Sequence, residues 1–261
     1  MNSGVEGQLE GRAHPVNIRK ISIGGAAIWH DGDALDPMEP RIFEPDWLRQ
    51  SGRLVGMSSG RNEAFFLRHA GQDMVLRHFW RGGLVGKVNR DLYLKVPAGR
   101  SRAMREFELL AWMEEQGLPV PHPMAARYRP AGPFYRADII TRHIPDTRTM
   151  ADILRDTSLL PDIWDETGRV IGRMHALGVF HSDLNCRNIL IDGGGRVWLI
   201  DFDKCARRAP GGWDVENLAR LKRSFEKEKG KVPGLHWDET AWEALLAGHK
   251  RERGAGAPDR T

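Results

Sequence analysis

His181-Ser-Asp183-Leu-Asn-Cys-Arg-Asn188 gathers an imidazole, a carboxylate and an amide in one short stretch, and Leu199-Ile-Asp201-Phe-Asp203 sets a second carboxylate just after an apolar run. These residue types suit phosphoryl transfer. A nucleotide triphosphate is densely anionic, so moving its terminal phosphoryl group needs divalent cations held by hard oxygen ligands. It also needs a base within hydrogen-bond reach of the attacking hydroxyl. In such a site Asp183 accepts the hydroxyl proton, while Asn188 and Asp201 hold Mg2+ against the phosphates of ATP. Asn188 contributes a neutral carbonyl oxygen, which can bind metal without competing for that proton.

The order and spacing match the patterns H-R-D-x-x-x-x-N and D-F-G of kinases. Local elements must then bring the two halves together. Asn188-Ile-Leu-Ile-Asp192 and Arg196-Val-Trp-Leu-Ile200 are β-rich runs joined by Gly193-Gly-Gly195. That text predicts two paired strands, with Asn188 and Asp201 at neighbouring strand ends.

Further candidates lie upstream. Arg77, in Met74-Val-Leu-Arg77, stands where kinases place the strand lysine that contacts ATP phosphates. Arginine keeps the charge in a forked, bulkier form and can pair bidentately with a carboxylate. Glu106 is its expected partner on a helix, since Glu108 points elsewhere on that helix. Ser58-Ser-Gly60-Arg-Asn-Glu63 is either a phosphate-covering loop, with Gly60 and Arg61 at the phosphates, or an ordinary hairpin turn. Trp80-Arg-Gly-Gly-Leu-Val-Gly-Lys87 reads as a charged turn. His175 and His181 read as structural. Asp203 replaces the glycine of D-F-G and is either a further metal contact or a loop brace. Lys204, Arg207 and Arg208 could hold a carboxylate or phosphate of the acceptor.

Residues 1–20 are polar and Gly-rich and are expected to be loosely ordered. Strand-like text at Ile21–Trp29, Phe65–Leu67, Met74–Phe79 and Tyr135–Thr141, with a helix near Ser101–Gln116, fills residues 21–143; Asp31–Pro45 reads as loop. Residues 144–251 read as helical: Thr149–Leu154, Ile163–Leu177, Trp213–Lys229 and Glu239–Lys250. Residues 252–261 are expected to fray. The fold class predicted is α+β with two lobes, a small β-rich N-lobe and a helical C-lobe, and a nucleotide cleft between them. No long activation segment and no A-P-E follow Asp203, which favours a small-molecule or lipid-linked acceptor over a peptide.

The chain has 261 residues and a net charge of +4. The charge suits an anionic ligand or a membrane surface, but its scatter and the lack of interleaved aromatics argue against nucleic-acid binding. No apolar run is long enough to span a bilayer, and Met1-Asn-Ser-Gly-Val-Glu-Gly does not read as a signal peptide. Two cysteines, Cys186 and Cys205, fit a reducing compartment and read as buried packers. The nine tryptophans read as packing residues for the most part.

The chain resembles the bacterial 3-deoxy-D-manno-octulosonic acid (Kdo) kinases, relatives of the lipopolysaccharide core heptose kinases. The likeness covers roughly residues 20 to 230. It rests on Val75-Leu-Arg-His-Phe-Trp-Arg-Gly-Gly83, Asp91-Leu-Tyr-Leu94, Arg105-Glu-Phe-Glu-Leu-Leu110, Gly117-Leu-Pro-Val-Pro121 and Tyr135-Arg-Ala-Asp138. Ile144-Pro145, Thr149-Met-Ala-Asp152, His175 to Asn188 and Leu199-Ile-Asp-Phe-Asp203 complete it. In that family Arg77 and Asp203 are not departures. The resemblance implies a Gram-negative cytoplasmic enzyme, peripheral on the inner membrane, that uses ATP and Mg2+ to phosphorylate the 4-hydroxyl of Kdo on Kdo-lipid IVA, a lipid-linked sugar. It implies no obligate protein partner. The alternatives are a heptose kinase on the same glycolipid, an atypical Rio-like protein kinase, and a nucleotide-binding pseudokinase.

Overall fold

The computed structural model describes residues 15–58, 63–80 and 91–255. β1 (Ile18–Ile23) and β2 (Ala26–Asp31) form a hairpin, with β1 beginning inside the segment expected to be loosely ordered. β3 (Leu54–Ser58), β4 (Ala64–His69), β5 (Gln72–His78), β6 (Tyr93–Leu94), β7 (Pro123–Ala131) and β8 (Phe134–Arg142) complete an antiparallel sheet. Its order is β1-β2-β7-β8-β5-β4-β3, with β6 pairing the end of β8.

Strand alternation decides what the sheet presents on each face. Phe65, Leu67, Met74, Leu76 and Ile140 point to one face and pack with Ile42, Phe43 and Leu48. Those last residues come from a 3-10 turn (Pro40–Phe43) and α1 (Pro45–Gln50). The turn replaces the end of the loop expected over Asp31–Pro45, because Ile42 and Phe43 bury against the sheet. Ile139 points to the opposite face, which α2 (Arg102–Glu115) covers with Met104, Phe107 and Leu110. Gly117, in the left-handed region at φ +71°, ends that helix. Arg77 neighbours Leu76 and therefore shares the α2 face.

β9 (Arg148–Thr149) and α3 (Met150–Asp156) open the helical half, followed by α4 (Pro161–Ala176) and β10 (Val179–Phe180). Thr149 caps α3 by accepting from the Asp152 N–H at 3.0 Å. β11 (Ile189–Ile191) and β12 (Val197–Leu199) pair antiparallel, as the glycine turn predicts. β13 (Ala206–Arg207), α5 (Trp213–Lys231) and α6 (Glu239–Ala255) follow. Helix α6 therefore continues into the stretch expected to fray from residue 252.

Helices α4 and α6 meet at glycines. A Cβ on Gly168 would stand 1.9 Å from the Leu245 carbonyl oxygen, and one on Gly248 would stand 2.0 Å from that of Asp165. Backbones this close bring His175 of α4 to His249 of α6, with 2.9 Å between Nδ1 and Nε2.

Candidate active site

Asn188 and Asp201 flank the β11–β12 pair. The Ile200 N–H donates to the Asn188 carbonyl at 3.1 Å, which ties the two strand ends together. The Asn188 amide nitrogen donates to the Asp183 carbonyl at 2.9 Å, leaving the amide oxygen as the acceptor end of the side chain. Asp201 takes a left-handed backbone, φ +65°. Aspartate tolerates that region better than most residues, and such conformations concentrate at functional sites.

The Arg77 guanidinium donates to both Glu106 and Asp201. Strand alternation on β5 and the inward face of α2 set up the first contact, and the turn after β12 sets up the second. Glu106 is only 3% exposed. Burial pushes its carboxyl up to about 7, while Arg77 pulls the other way. Burial also works against the charge on Arg77, but Glu106 and Asp201 outweigh it and raise its pKa. Among the described residues, one carboxylate oxygen of Glu106 meets no hydrogen-bond partner.

These residues face a cleft of about 580 Å³ between the sheet and the helical half. Val75, Ile139, Leu190 and Ile200 give it apolar walls, and Arg77, Glu106, Asn188 and Asp201 gather along it. Gly60 lies outside the described residues, as do Arg61 and residues 81–87 of the basic turn.

The loop carrying Asp183 is held by buried histidines. The His181 Nε2–H donates to the Ile200 carbonyl at 3.1 Å, and its Nδ1 accepts from the Asp183 N–H at 3.2 Å. Burial lowers its pKa, so the ring is a neutral brace. Asn217 of α5 clamps the His181 backbone from both sides, accepting from its N–H at 3.1 Å and donating to its carbonyl at 3.0 Å. His175 reaches the same Asn217 oxygen at 3.3 Å. Burial, with His249 next to it, drives the His175 pKa down to about 3. The Asp183 carboxylate itself is exposed, with Arg220 of α5 at 3.5 Å.

The chain matches the lipopolysaccharide kinase (Kdo/WaaP) family over residues 45–249. It belongs to that family. The 3-deoxy-D-manno-octulosonic acid kinase of Vibrio vulnificus is 37% identical over 236 residues, which is 90% of this chain and 100% of that protein. The enzyme of that name from Photobacterium profundum is 38% identical over 89% of this chain and 98% of its own length. The one from Haemophilus influenzae is 39% identical over 80% and 89%.

This kinase is thus a phosphotransferase of kinase-like α+β fold, and its family implies use of ATP. Its donor set can be tested against Mg2+. Among the described residues no group of three His, Cys, Asp or Glu could cage a metal ion. Asp201 and Asn188 supply one carboxylate and one amide oxygen on the same cleft. That sparse set fits Mg2+, which keeps water and substrate phosphate among its ligands.

Three residues at the kinase site escape sequence reading. Arg102 pairs with Asp203, Nε to Oδ1 at 2.7 Å, so Asp203 braces the loop against α2. Asn217 interrupts the apolar stripe Trp213, Leu221, Phe225 on α5, and a polar residue in such a stripe was the signal that could have found it. Arg220 carries no local mark. Cys186 and Cys205 are buried free thiols, and burial pushes Cys205 up to about 12. Arg207 stacks on Trp112 at 4.3 Å and Arg208 on Phe180 at 3.5 Å, so both basic groups rest on aromatic rings. Among the described residues no helix is long and apolar enough to cross a membrane.

Proposed function

We propose that this kinase phosphorylates the 4-hydroxyl of Kdo on Kdo-lipid IVA, using ATP and Mg2+, from the cytoplasmic face of a Gram-negative inner membrane. The observation that carries the reading is the hydrogen bond from Asn188 to the Asp183 backbone. It joins an exposed carboxylate to the cleft that holds Arg77 and Asp201. Residues 21–143 and 144–251 serve as the two lobes around that cleft, and its apolar walls suit a flat base.

Asn188 and Asp201 hold the metal. When bound, it neutralises charge on the phosphates. Arg77 contacts phosphate while Glu106 fixes the direction of its fork. Asp183 takes the proton of the acceptor hydroxyl as that oxygen bonds to the γ-phosphorus. The bond from that phosphorus to the bridging oxygen breaks, and ADP leaves. Asn217 and His181 keep the base in place. The names of the relatives and the anionic character of a Kdo-bearing lipid support the acceptor; net positive charge supports peripheral membrane contact.

The test is incubation of purified protein with ATP, Mg2+ and Kdo-lipid IVA, with the glycolipid read by mass spectrometry and the phosphorylated position by NMR. Gain of one phosphoryl group on the Kdo 4-hydroxyl is expected, with turnover lowered by orders of magnitude in Asp183→Ala while ATP still binds. No gain with ATP bound, or undiminished turnover in the variant, would overturn the assignment.

A further inference from the structure

The nucleotide cleft leaves unused a second cavity of about 780 Å³, which opens at Asp183 and runs along α5. Asp183 touches the first cleft through Asn188 and lines the second itself, so an acceptor whose hydroxyl reaches Asp183 must lie in or across this groove. Its wall carries Arg220, Arg223, Lys227 and Lys231 at helical spacing, with Arg187 opposite.

These cations are not equivalent. Arg187 and Lys231 each pair at 2.6 Å with buried Glu228. Burial pushes the Glu228 carboxyl up, but these bases outweigh it and hold it at about 2. Their charge is therefore satisfied within the fold. Among the described residues, the carboxylate that Arg220 meets is that of Asp183, at a distant 3.5 Å. Among the described residues, Arg223 and Lys227 meet no carboxylate, and both are exposed. Like charges one helical turn apart repel and weaken a helix. The opposite stripe of α5, with Leu221 and Phe225, is buried, so the helix cannot turn the basic face away. Among the described residues, Arg223 and Lys227 stand without an acidic partner beside the catalytic loop, next to an Arg220 whose one carboxylate contact is long.

We infer that Arg220, Arg223 and Lys227 form the anion-binding subsite of the acceptor, seating a phosphate or carboxylate so that its hydroxyl meets Asp183. The inference rests on Asp183 being the acceptor-side base. It also moves acceptor recognition from Lys204, Arg207 and Arg208 to α5, since none of those three lines this groove. Guanidinium forks suit either oxyanion, and a lysine adds a point charge.

The test compares the full-length protein with Arg223→Ala/Lys227→Ala and with Arg223→Lys. Acceptors are Kdo-lipid IVA and the same glycolipid stripped of its glucosamine phosphates. The double variant should raise KM for the intact glycolipid by about tenfold or more, a loss characteristic of charge-assisted contacts. Its KM for ATP and its melting temperature should hold, and Arg223→Lys should recover part of the loss. A loss confined to the intact glycolipid assigns the subsite to lipid phosphate; an equal loss with both assigns it to the sugar carboxylate. An acceptor KM within twofold of wild type overturns the subsite. Binding of a fluorescent Kdo-lipid IVA derivative in detergent is read in parallel. If wild type binds without phosphorylating it and the double variant does not bind, the anion site stands and the proposed acceptor reaction falls. If wild type neither binds nor phosphorylates it, both fall.

Discussion

Replacing Glu106 with glutamine should separate the stability of this fold from its activity. Glu106 is buried, and its carboxyl is pushed up to about 7 from an ordinary 4.5, chiefly by burial and further by Asp201, against the pull of Arg77. A folded value above the unfolded one means that the folded protein holds this proton more tightly. The contribution of Glu106 to stability is therefore full below pH 4.5 and lost as pH rises through about 7. That gap is worth about 3 kcal/mol. Glutamine does not titrate. The difference in unfolding free energy between wild type and Glu106→Gln should thus shift by about 3 kcal/mol between pH 4.5 and about pH 8, favouring the variant at the alkaline end. Histidines that titrate in both proteins cancel in this difference. Urea unfolding across the range reads it directly. Phosphoryl transfer should run the other way, rising through pH 7 in wild type, because the pair with Arg77 needs an ionised carboxylate. Parallel stability curves for the two proteins would refute the cost assigned to the buried charge.

Asp201→Ala should weaken Mg2+-dependent ATP binding by at least about tenfold, since even outer-shell losses reach that size; unchanged affinity in a nucleotide titration would remove Asp201 from the metal site. Asn217→Ala strips both clamps from the His181 backbone and should cost about 2 to 4 kcal/mol of unfolding free energy. Its kcat should fall further than KM for ATP, and a melting temperature and kcat like those of wild type would contradict the clamp. Gly168→Ala should lower the melting temperature. Separating α4 from α6 costs about 1 to 3 kcal/mol, more than the roughly 1 kcal/mol gained in helix propensity, and an unchanged or raised value would deny the close approach.

The placement of the candidate site residues was legible where it is local. Asp183 and Asn188 sit on one loop, and the glycine turn announces the hairpin that leads to Asp201. Arg77 and Glu106 were legible as a pair because strand alternation and helix periodicity each specify a face. Strand β7 was missed: Pro123-Met-Ala-Ala-Arg-Tyr-Arg-Pro-Ala131 has little β-branched content, and its pairing with β2 and β8 comes from tertiary context. The 3-10 turn and α1 hid in a Pro- and Asp-rich stretch whose order depends on a sheet face elsewhere in the chain. Arg102, Asn217 and Arg220 act across long sequence separations. Their types are ordinary for helices, so only the packed fold reveals what they touch.

The contact chain from His249 through His175 and Asn217 to His181 gives α6 a say in when the enzyme first works. A ribosome releases α4 and the Asp183 loop well before α6. Until α6 docks, the glycine face of α4 stays bare and His175 lacks its hydrogen bond to His249. The Asp183 loop then lacks the support that α6 passes to Asn217 through His175. Competence should therefore wait on the docking of α6, so that a chain caught before that step turns over little acceptor.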